Sequence, residues 1–333
     1  MGATRDRGKH SPEHTPRMLT GRFLGVDGGQ SSTTAVIADQ YGKILGWATA
    51  GPCNHVAAPE ARAKFLRVMR ECISEAASRA GMSAQGDRWH FSSACLGMSG
   101  GAEGKSVLLE ELLDSEHVVV TDDAAIALAG ATAGEPGIVV ISGTGSIAFG
   151  KNARGETARA GGWGYIFGDE GSAFDIVRQA LRTILREHEG WGARTALTPA
   201  LLEATGTADP NEMLHLFYKP EWPRSRVATL AKIVNRMAEE GDPLATLVLQ
   251  NAARELALFA ASVRQQLWTD EEAVTVSWTG GVFGSDLLLE RFRSLISVSG
   301  NATAREPVYG PAKGALILAY RAPGLPVLPE PER

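Results

Sequence analysis

Cysteine is scarce in this chain: Cys53, Cys72 and Cys95 are the only three among 333 residues, and no two of them form a Cys-x-x-Cys pair. Thiols so scattered exclude a disulfide framework and a zinc knuckle of the usual spacing, and they fit a reduced, cytoplasmic setting. An excess of positive charge is missing too. Lys and Arg number 33 against 38 Asp and Glu, a formal net charge of -5, whereas neutralising phosphates along a duplex needs a basic stripe. No stretch of about 18 apolar residues occurs, so no bilayer-spanning helix is expected. Neither nucleic acid nor membrane is therefore an expected partner. Residues 1–20 are polar and basic, without the apolar run of a secretory signal, and Asp6 stands where myristoylation needs Ser or Thr. They read as a flexible tail, within which Met18 is an alternative start of translation.

Glycine, by contrast, is abundant at 38 residues, and its placement carries the information. At roughly 100–200 residues per domain, the length suggests two domains or two lobes. Residues 22–38 read as a strand, a Gly-rich turn and a second strand; 39–43 are a turn and 44–51 a third strand. A helix follows over 59–80, with Phe65, Leu66, Met69, Ile73 and Ala77 on one face. Residues 89–97 read as a strand, 105–113 as a helix, 117–121 as a strand and 124–133 as a helix. The order then restarts. An apolar strand from Gly137 runs into the turn Gly143–Ser146, followed by a strand over 147–150, a turn over 152–155 and a strand over 156–160. Helical spacing resumes near Asp169 and runs through Leu185. The chain thus reads as an internally duplicated α/β protein, with an N-terminal lobe over 21–134, a C-terminal lobe over 135–320 and a Pro-rich tail over 321–333.

A glycine turn between two strands presents backbone N–H groups in a concavity that binds anions without a lysine. Two such turns, one per lobe, would grip a polyphosphate from both sides of a cleft. A P-loop competes at Gly101-Ala-Glu-Gly104-Lys105-Ser106, but Ser99 occupies the position of its first glycine and Glu103 would lie inside the phosphate cradle. A glycine-rich strand-to-helix turn is the favoured reading there. Asp123 ends an apolar strand and opens a helix, so it is either a base at the C-terminal end of a strand or a helix N-cap. The residues alone leave both open. Asn54 is by position a turn residue, and Asp169 is placed to cap the helix after it. Trp163, flanked by glycines, suits a pocket wall better than a core. His55 is read as structural.

In chain order come Leu24-Gly-Val-Asp27-Gly-Gly29, Asn54-His55, Gly97-Met-Ser-Gly-Gly101, Thr121-Asp-Asp-Ala-Ala125 and Ile141-Ser-Gly-Thr-Gly-Ser146. Gly161-Gly-Trp-Gly164, Gly168-Asp-Glu-Gly-Ser172, Trp278-Thr-Gly-Gly-Val282 and Gly310-Pro-Ala-Lys-Gly-Ala315 follow. This series resembles the actin/hexokinase/Hsp70 ATPase superfamily, and more narrowly the N-acetylglucosamine kinase and BadF/BadG/BcrA/BcrD ATPase family. The resemblance spans about residues 22–320, and Gly-Gly-Trp-Gly followed by Gly-Asp-Glu-Gly-Ser is its most specific pair. It implies a duplicated RNase H-like (actin-like ATPase) fold, two lobes around a nucleotide cleft, and an ATP-dependent transfer of phosphate to the 6-hydroxyl of an amino sugar.

By that resemblance Asp27, Gly28, Gly29 and Ser31 lie at the first phosphate hairpin, with Asp27 near Mg2+ through water. Thr144 and Gly145 lie at the second. Ala228, Gly280, Gly281 and Ser285 fall on the adenosine side, and Asn54, Ser146, Ile147, Gly162, Trp163, Gly164 and Asp169 on the sugar side. Asp123 falls at the catalytic base, the Asp-Ala pairing selecting it over Asp122. Ala160 and Ile147 depart from the Cys and Asn of animal N-acetylglucosamine kinases, which leaves the choice among N-acetylglucosamine, glucosamine, N-acetylmannosamine and N-acetylmuramic acid open. The oligomeric state is open as well, a homodimer included. A second function on the same fold is the ATPase that activates a radical 2-hydroxyacyl-CoA dehydratase or benzoyl-CoA reductase, but its iron–sulfur cluster needs cysteines at a subunit interface. The sequence also lacks the Cys-rich zinc motif of ROK sugar kinases.

Overall fold

The computed structural model describes residues 21–29, 32–53, 59–100, 104–298 and 300–331. Its first half opens with three strands, β1 (Arg22–Gly28), β2 (Thr33–Asp39) and β3 (Ile44–Ala50), then α1 (Pro59–Arg79), β4 (Trp89–Met98), α2 (Lys105–Leu109), β5 (Leu113–Asp122) and α3 (Asp123–Ala131). The second half repeats the opening with β6 (Gly137–Ser142), β7 (Ser146–Lys151) and β8 (Thr157–Gly161). A helical block follows: α4 (Ala173–His188), α5 (Leu197–Thr205), α6 (Pro210–Leu216), α7 (Arg224–Thr229), α8 (Ala231–Glu239) and α9 (Pro243–Leu267). The chain then adds β9 (Val274–Thr279), a 3₁₀ turn (Gly281–Gly284), α10 (Asp286–Ser297), β10 (Ala302–Ala304) and α11 (Pro311–Arg321).

The two sheets have one topology. The first runs β3-β2-β1-β4-β5 and the second β8-β7-β6-β9-β10. In each, the first three strands form an antiparallel meander and the last two add parallel to the first. The expected duplication is therefore present strand for strand. Each sheet is covered by helices, as parallel pairs require. The α1 face of Phe65, Met69, Ile73 and Ala77 is buried on the first sheet, and α4 and α9 build the core of the second with Ile176, Ala253, Leu256 and Val263.

Three boundaries differ from the sequence reading. The helix expected over 105–113 ends at Leu109, and β5 begins at Leu113 rather than at 117. Leu109, Leu112 and Leu113 are all buried, and the Leu112 carbonyl accepts from the Trp89 N–H, so the apolar run is drawn onto the sheet edge. The helix expected from near Asp169 begins at Ala173, capped by Ser172, whose hydroxyl accepts from the Asp175 N–H. Residues 311–320, grouped above with the second lobe, pack on the first sheet. Ala312, Leu316 and Tyr320 of α11 bury Phe23, Val36 and Ala38, while Ala315 and Ala319 meet Cys95 and Ile126. Each such large side chain contributes roughly 1.5–3 kcal/mol. Helices α3 and α11 cross closely because Gly130 and Gly314 face each other: a Cβ on Gly314 would lie 2.5 Å from the Gly130 nitrogen.

Helix α3 also serves the second sheet, where Ala127, Leu128 and Ala131 pack on Val139. It is thus the wall common to both lobes. The Pro-rich tail is tied down: the Glu330 N–H donates to the Gly42 carbonyl, and Tyr309 and Lys313 donate to the carbonyls of Pro329 and Glu330. Among the described residues, no helix is long and apolar enough to cross a membrane.

Candidate active site

Parallel strands β1, β4 and β5 deliver three side chains to one end of the first sheet. Asp27 lies opposite Gly97, and Met98 lies opposite Asp122, the last residue of β5. The N-cap role falls to Asp122, whose carboxylate accepts from the Ala125 N–H at 2.7 Å. Asp123, half-buried in the first turn of α3, is left for other work. The Ser99 hydroxyl donates to Asp123 Oδ2 at 2.5 Å, and the Ser99 N–H donates to the Gly28 carbonyl at 3.0 Å. Burial, and secondarily the Asp123 charge, push the Asp27 carboxyl up from 3.8 to about 6. Two carboxylates thus share this end of the sheet, a place where a bound cation would relieve both desolvation and repulsion.

Lys105 is the nearby cation. It is 2% exposed, and its Nζ donates to the Ser99 carbonyl at 2.7 Å. Burial lowers its pKa, while Cys53 and Asp123 act to raise it. Gly29 opens the first turn by donating its N–H to the Ser32 carbonyl. Ser31 and Asn54, expected at the phosphate and the sugar, lie outside the described residues.

In the second sheet, Ser142 pairs with Ser146 and a three-residue turn joins β6 to β7. The Gly143 N–H donates to the Gly145 carbonyl at 2.9 Å. The Thr144 and Gly145 N–H groups have no backbone partner among the described residues, the condition for anion binding. The turn is braced from behind. Asp169, buried at 4% exposure, accepts from the Ser146 N–H at 3.2 Å and from Arg224 at 2.5 Å, and Arg224 also donates to the Thr144 carbonyl at 2.8 Å. Asp169 holds a left-handed φ of 62°, uncommon for a residue with a Cβ. It does not cap α4, since Ser172 does.

Thr144, Ala228, Gly281 and Ser285 line a single cavity of about 970 Å³ with Gly143, Lys232 and Asn235. Gly280 stands just outside it, where a Cβ would lie 2.2 Å from the Ser142 carbonyl oxygen. Ser146, Ile147 and Gly162 adjoin one another through β7 and β8: the Gly162 N–H donates to the Ser146 carbonyl, and a Gly162 Cβ would meet Ile147 at 2.9 Å. Trp163 is 67% exposed, with the Arg159 guanidinium 5.2 Å from its ring centroid. Gly164, at φ 78°, follows it and accepts from the Gly168 N–H.

Sequence reasoning missed Ser99, Lys105 and Arg224. The first two sit in the segment weighed as a P-loop, and Arg224 lies in no motif. Cys53, Cys72 and Cys95 are all buried in the first lobe, and among the described residues no three His, Cys, Asp or Glu side chains are grouped to hold a metal.

Two sheets of one strand order, each with a glycine turn after its first strand and a helix wall between them, define the two-lobed α/β fold of the actin-like ATPases. Within that class, the chain belongs to the BadF/BadG/BcrA/BcrD ATPase family, which matches residues 24–319. It is 33% identical to an N-acetylmuramic acid/N-acetylglucosamine kinase of Clostridium acetobutylicum, over 83% of this chain and 90% of that one. It is 31% identical to an N-acetyl-D-glucosamine kinase of Dictyostelium discoideum, over 90% of this chain and 98% of that one. Among solved structures, an N-acetylglucosamine kinase candidate from Chromobacterium violaceum superposes with a TM-score of 0.74 at 26% identity, covering 90% of this chain and 99% of its own.

Proposed function

We propose that the protein is an ATP-dependent amino-sugar kinase that transfers the γ-phosphate to the 6-hydroxyl of N-acetylglucosamine or a related hexosamine. The observation that carries this reading is Asp123: a half-buried carboxylate at the end of a parallel strand, relieved of capping by Asp122 and oriented by the Ser99 hydroxyl. Relatives at 31–33% identity over most of the chain bear kinase names. Phosphoryl transfer asks a protein for positioning and charge compensation more than for covalent chemistry. In this reading Asp123 takes the proton of the sugar hydroxyl as its oxygen bonds the γ-phosphorus and the bond to the ADP oxygen breaks. The two glycine turns hold phosphate oxygens through N–H groups, and the cavity lined by Ala228, Gly281 and Ser285 takes the adenosine.

Asp27 would hold Mg2+ through water, and its crowded carboxylate fits a cation. Bound there, Mg2+ supplies neutralisation of the β- and γ-phosphate charge. The sugar would lie against Ser146, Ile147, Gly162, Trp163 and Gly164. Asp169 supports this pocket and the phosphate turn together. Closing the lobes would exclude water and spare ATP from hydrolysis. A cytoplasmic location is supported by three buried cysteines without a disulfide. That same burial speaks against a cluster-bearing dehydratase activator, which needs cysteines exposed at a subunit interface.

The test is coupled ADP release with glucosamine, N-acetylglucosamine, N-acetylmannosamine, N-acetylmuramic acid and glucose. Stimulation by an N-acetylated hexosamine above all others is expected. Turnover indifferent to every sugar would overturn the reading.

A further inference from the structure

Lys105 is the most buried cation near the carboxylates, yet none of the roles above uses it. It closes the segment that imitates a P-loop, and its ammonium is held by the strand end before that segment. Its ammonium meets the Ser99 carbonyl at 2.7 Å, and the hydroxyl of the same Ser99 meets Asp123 Oδ2 at 2.5 Å. The Ser99 N–H is fixed in turn to the Gly28 carbonyl on β1, one residue beyond Asp27. Ser99 is itself 6% exposed. A small buried residue is thereby clamped at its N–H, its carbonyl and its hydroxyl, each by a different element, with the reacting carboxylate at the end of the chain of bonds.

The geometry points to Ser99 and Lys105 as positioning residues for phosphoryl transfer, a role that rests on the kinase reading: Lys105 fixes Ser99, and Ser99 fixes Asp123 through Oδ2 so that Oδ1 receives the acceptor proton. Among the described residues, Cys53 and Asp123 act electrostatically on Lys105, and Asp123 acts in turn on Asp27. Neither positioning residue changes protonation in the step. The acceptor oxygen bonds phosphorus, the bond to the ADP oxygen breaks, and the proton ends on Asp123, while Ser99 keeps its hydroxyl proton and Lys105 its charge. A hydroxyl that holds one carboxylate oxygen, on a residue whose carbonyl the buried ammonium fixes, defines which oxygen reacts. A base held loosely by about 1 Å loses ~10²-fold in rate.

The experiment compares the full-length wild type with Ser99→Ala, Ser99→Thr, Lys105→Met and the double variant Ser99→Ala/Lys105→Met. Ser99→Ala and Lys105→Met should each lower kcat by ~10–10²-fold, with sugar and ATP KM within a few fold. Ser99→Thr should recover most of kcat, and the double variant should be no slower than the worse single, since both act through one hydrogen-bond chain. Should Lys105→Met fail to fold, Ser99→Ala and its Thr rescue still decide the matter. A readout independent of turnover is the proton of the short Ser99–Asp123 bond, expected in the 1H NMR spectrum downfield of the amides, absent in Ser99→Ala and displaced in Lys105→Met. Wild-type kcat in both single variants, losses that multiply in the double variant, or no such proton in the wild type would overturn the proposal. A wild type that phosphorylates no amino sugar overturns the kinase reading instead, and the proton signal then still decides whether Lys105 sets the Ser99–Asp123 bond.

Discussion

Asp122 and Asp123 are chemically identical neighbours with different surroundings, and substituting them separately should split stability from catalysis. Asp122 caps α3 through one hydrogen bond of 2.7 Å to the Ala125 N–H. Losing it in Asp122→Ala should cost ~1 kcal/mol, a fall in Tm of roughly 2 °C or less for a chain this long. Asp122→Asn should change neither Tm nor kcat, because Asn caps about as well as Asp. At Asp123 the order inverts. An Asn there can still accept the Ser99 hydroxyl at its amide oxygen, so the fold should stand, and removing a charge beside the crowded Asp27 should not weaken it. The proton acceptor, however, is gone, and kcat should fall by ~10²–10⁴, or about 3–5 kcal/mol of transition-state stabilisation. Scanning calorimetry and coupled ADP release on the four proteins measure both axes. If Asp122→Asn lost the activity, or if both Asn variants lost it equally, the division between cap and base would be wrong.

Three further outcomes follow from the same geometry. Apo Asp27→Asn should be more stable than the wild type at pH 7.5 by up to ~3 kcal/mol, and the gain should vanish as pH falls through about 6 toward 3.8. The sign is set by a folded-state pKa raised above the unfolded one, so the ionised carboxylate costs stability at high pH; melting curves of the two proteins across that range check it. A side chain on Gly143 meets nothing within 4 Å and enters the cavity, whereas one on Gly145 would lie 2.6 Å from Arg224 and 2.9 Å from Asp169. Gly143→Val should therefore raise the ATP dissociation constant with Tm unchanged, while Gly145→Val should lower Tm as well, as calorimetry and titration would separate. Arg224→Met leaves the buried Asp169 without its cation and the Thr144 carbonyl without its donor, so the KM values for ATP and sugar should rise together. A change confined to the sugar KM would show that Asp169 serves the sugar alone.

The duplication was legible in the sequence because each meander is local: three short strands, their turns and their alternation lie within about 30 residues. The motif order placed Thr144, Ala228, Gly281 and Ser285, and the structure gathers those four around one cavity. What could not be read is what depends on distant partners. Nothing in residues 311–321 says that their apolar face belongs to Phe23 and Val36, nearly 300 positions earlier. The leucines around 108–113 fit a helix or a strand equally, and only their pairing with β4 decides. Asp169 looked like a cap because it precedes a helix, yet Ser172 took that role and Arg224, from no motif, claimed the carboxylate. Lys105 was visible, but in the costume of a different phosphate motif.

The return of α11 to the first sheet sets the order in which the protein must mature on the ribosome. Domains ordinarily fold as they emerge, the N-terminal one first. Here Phe23, Val36 and Ala38 are translated at the outset, but the side chains that cover them, Leu316 and Tyr320, are among the last to be made. The second sheet, with its own core from 138 to 302, has no such debt to the C-terminus. The nascent first lobe therefore carries an uncovered apolar sheet face through most of synthesis, and any product truncated before 311 should be insoluble rather than half active. The lobe begun first is completed last.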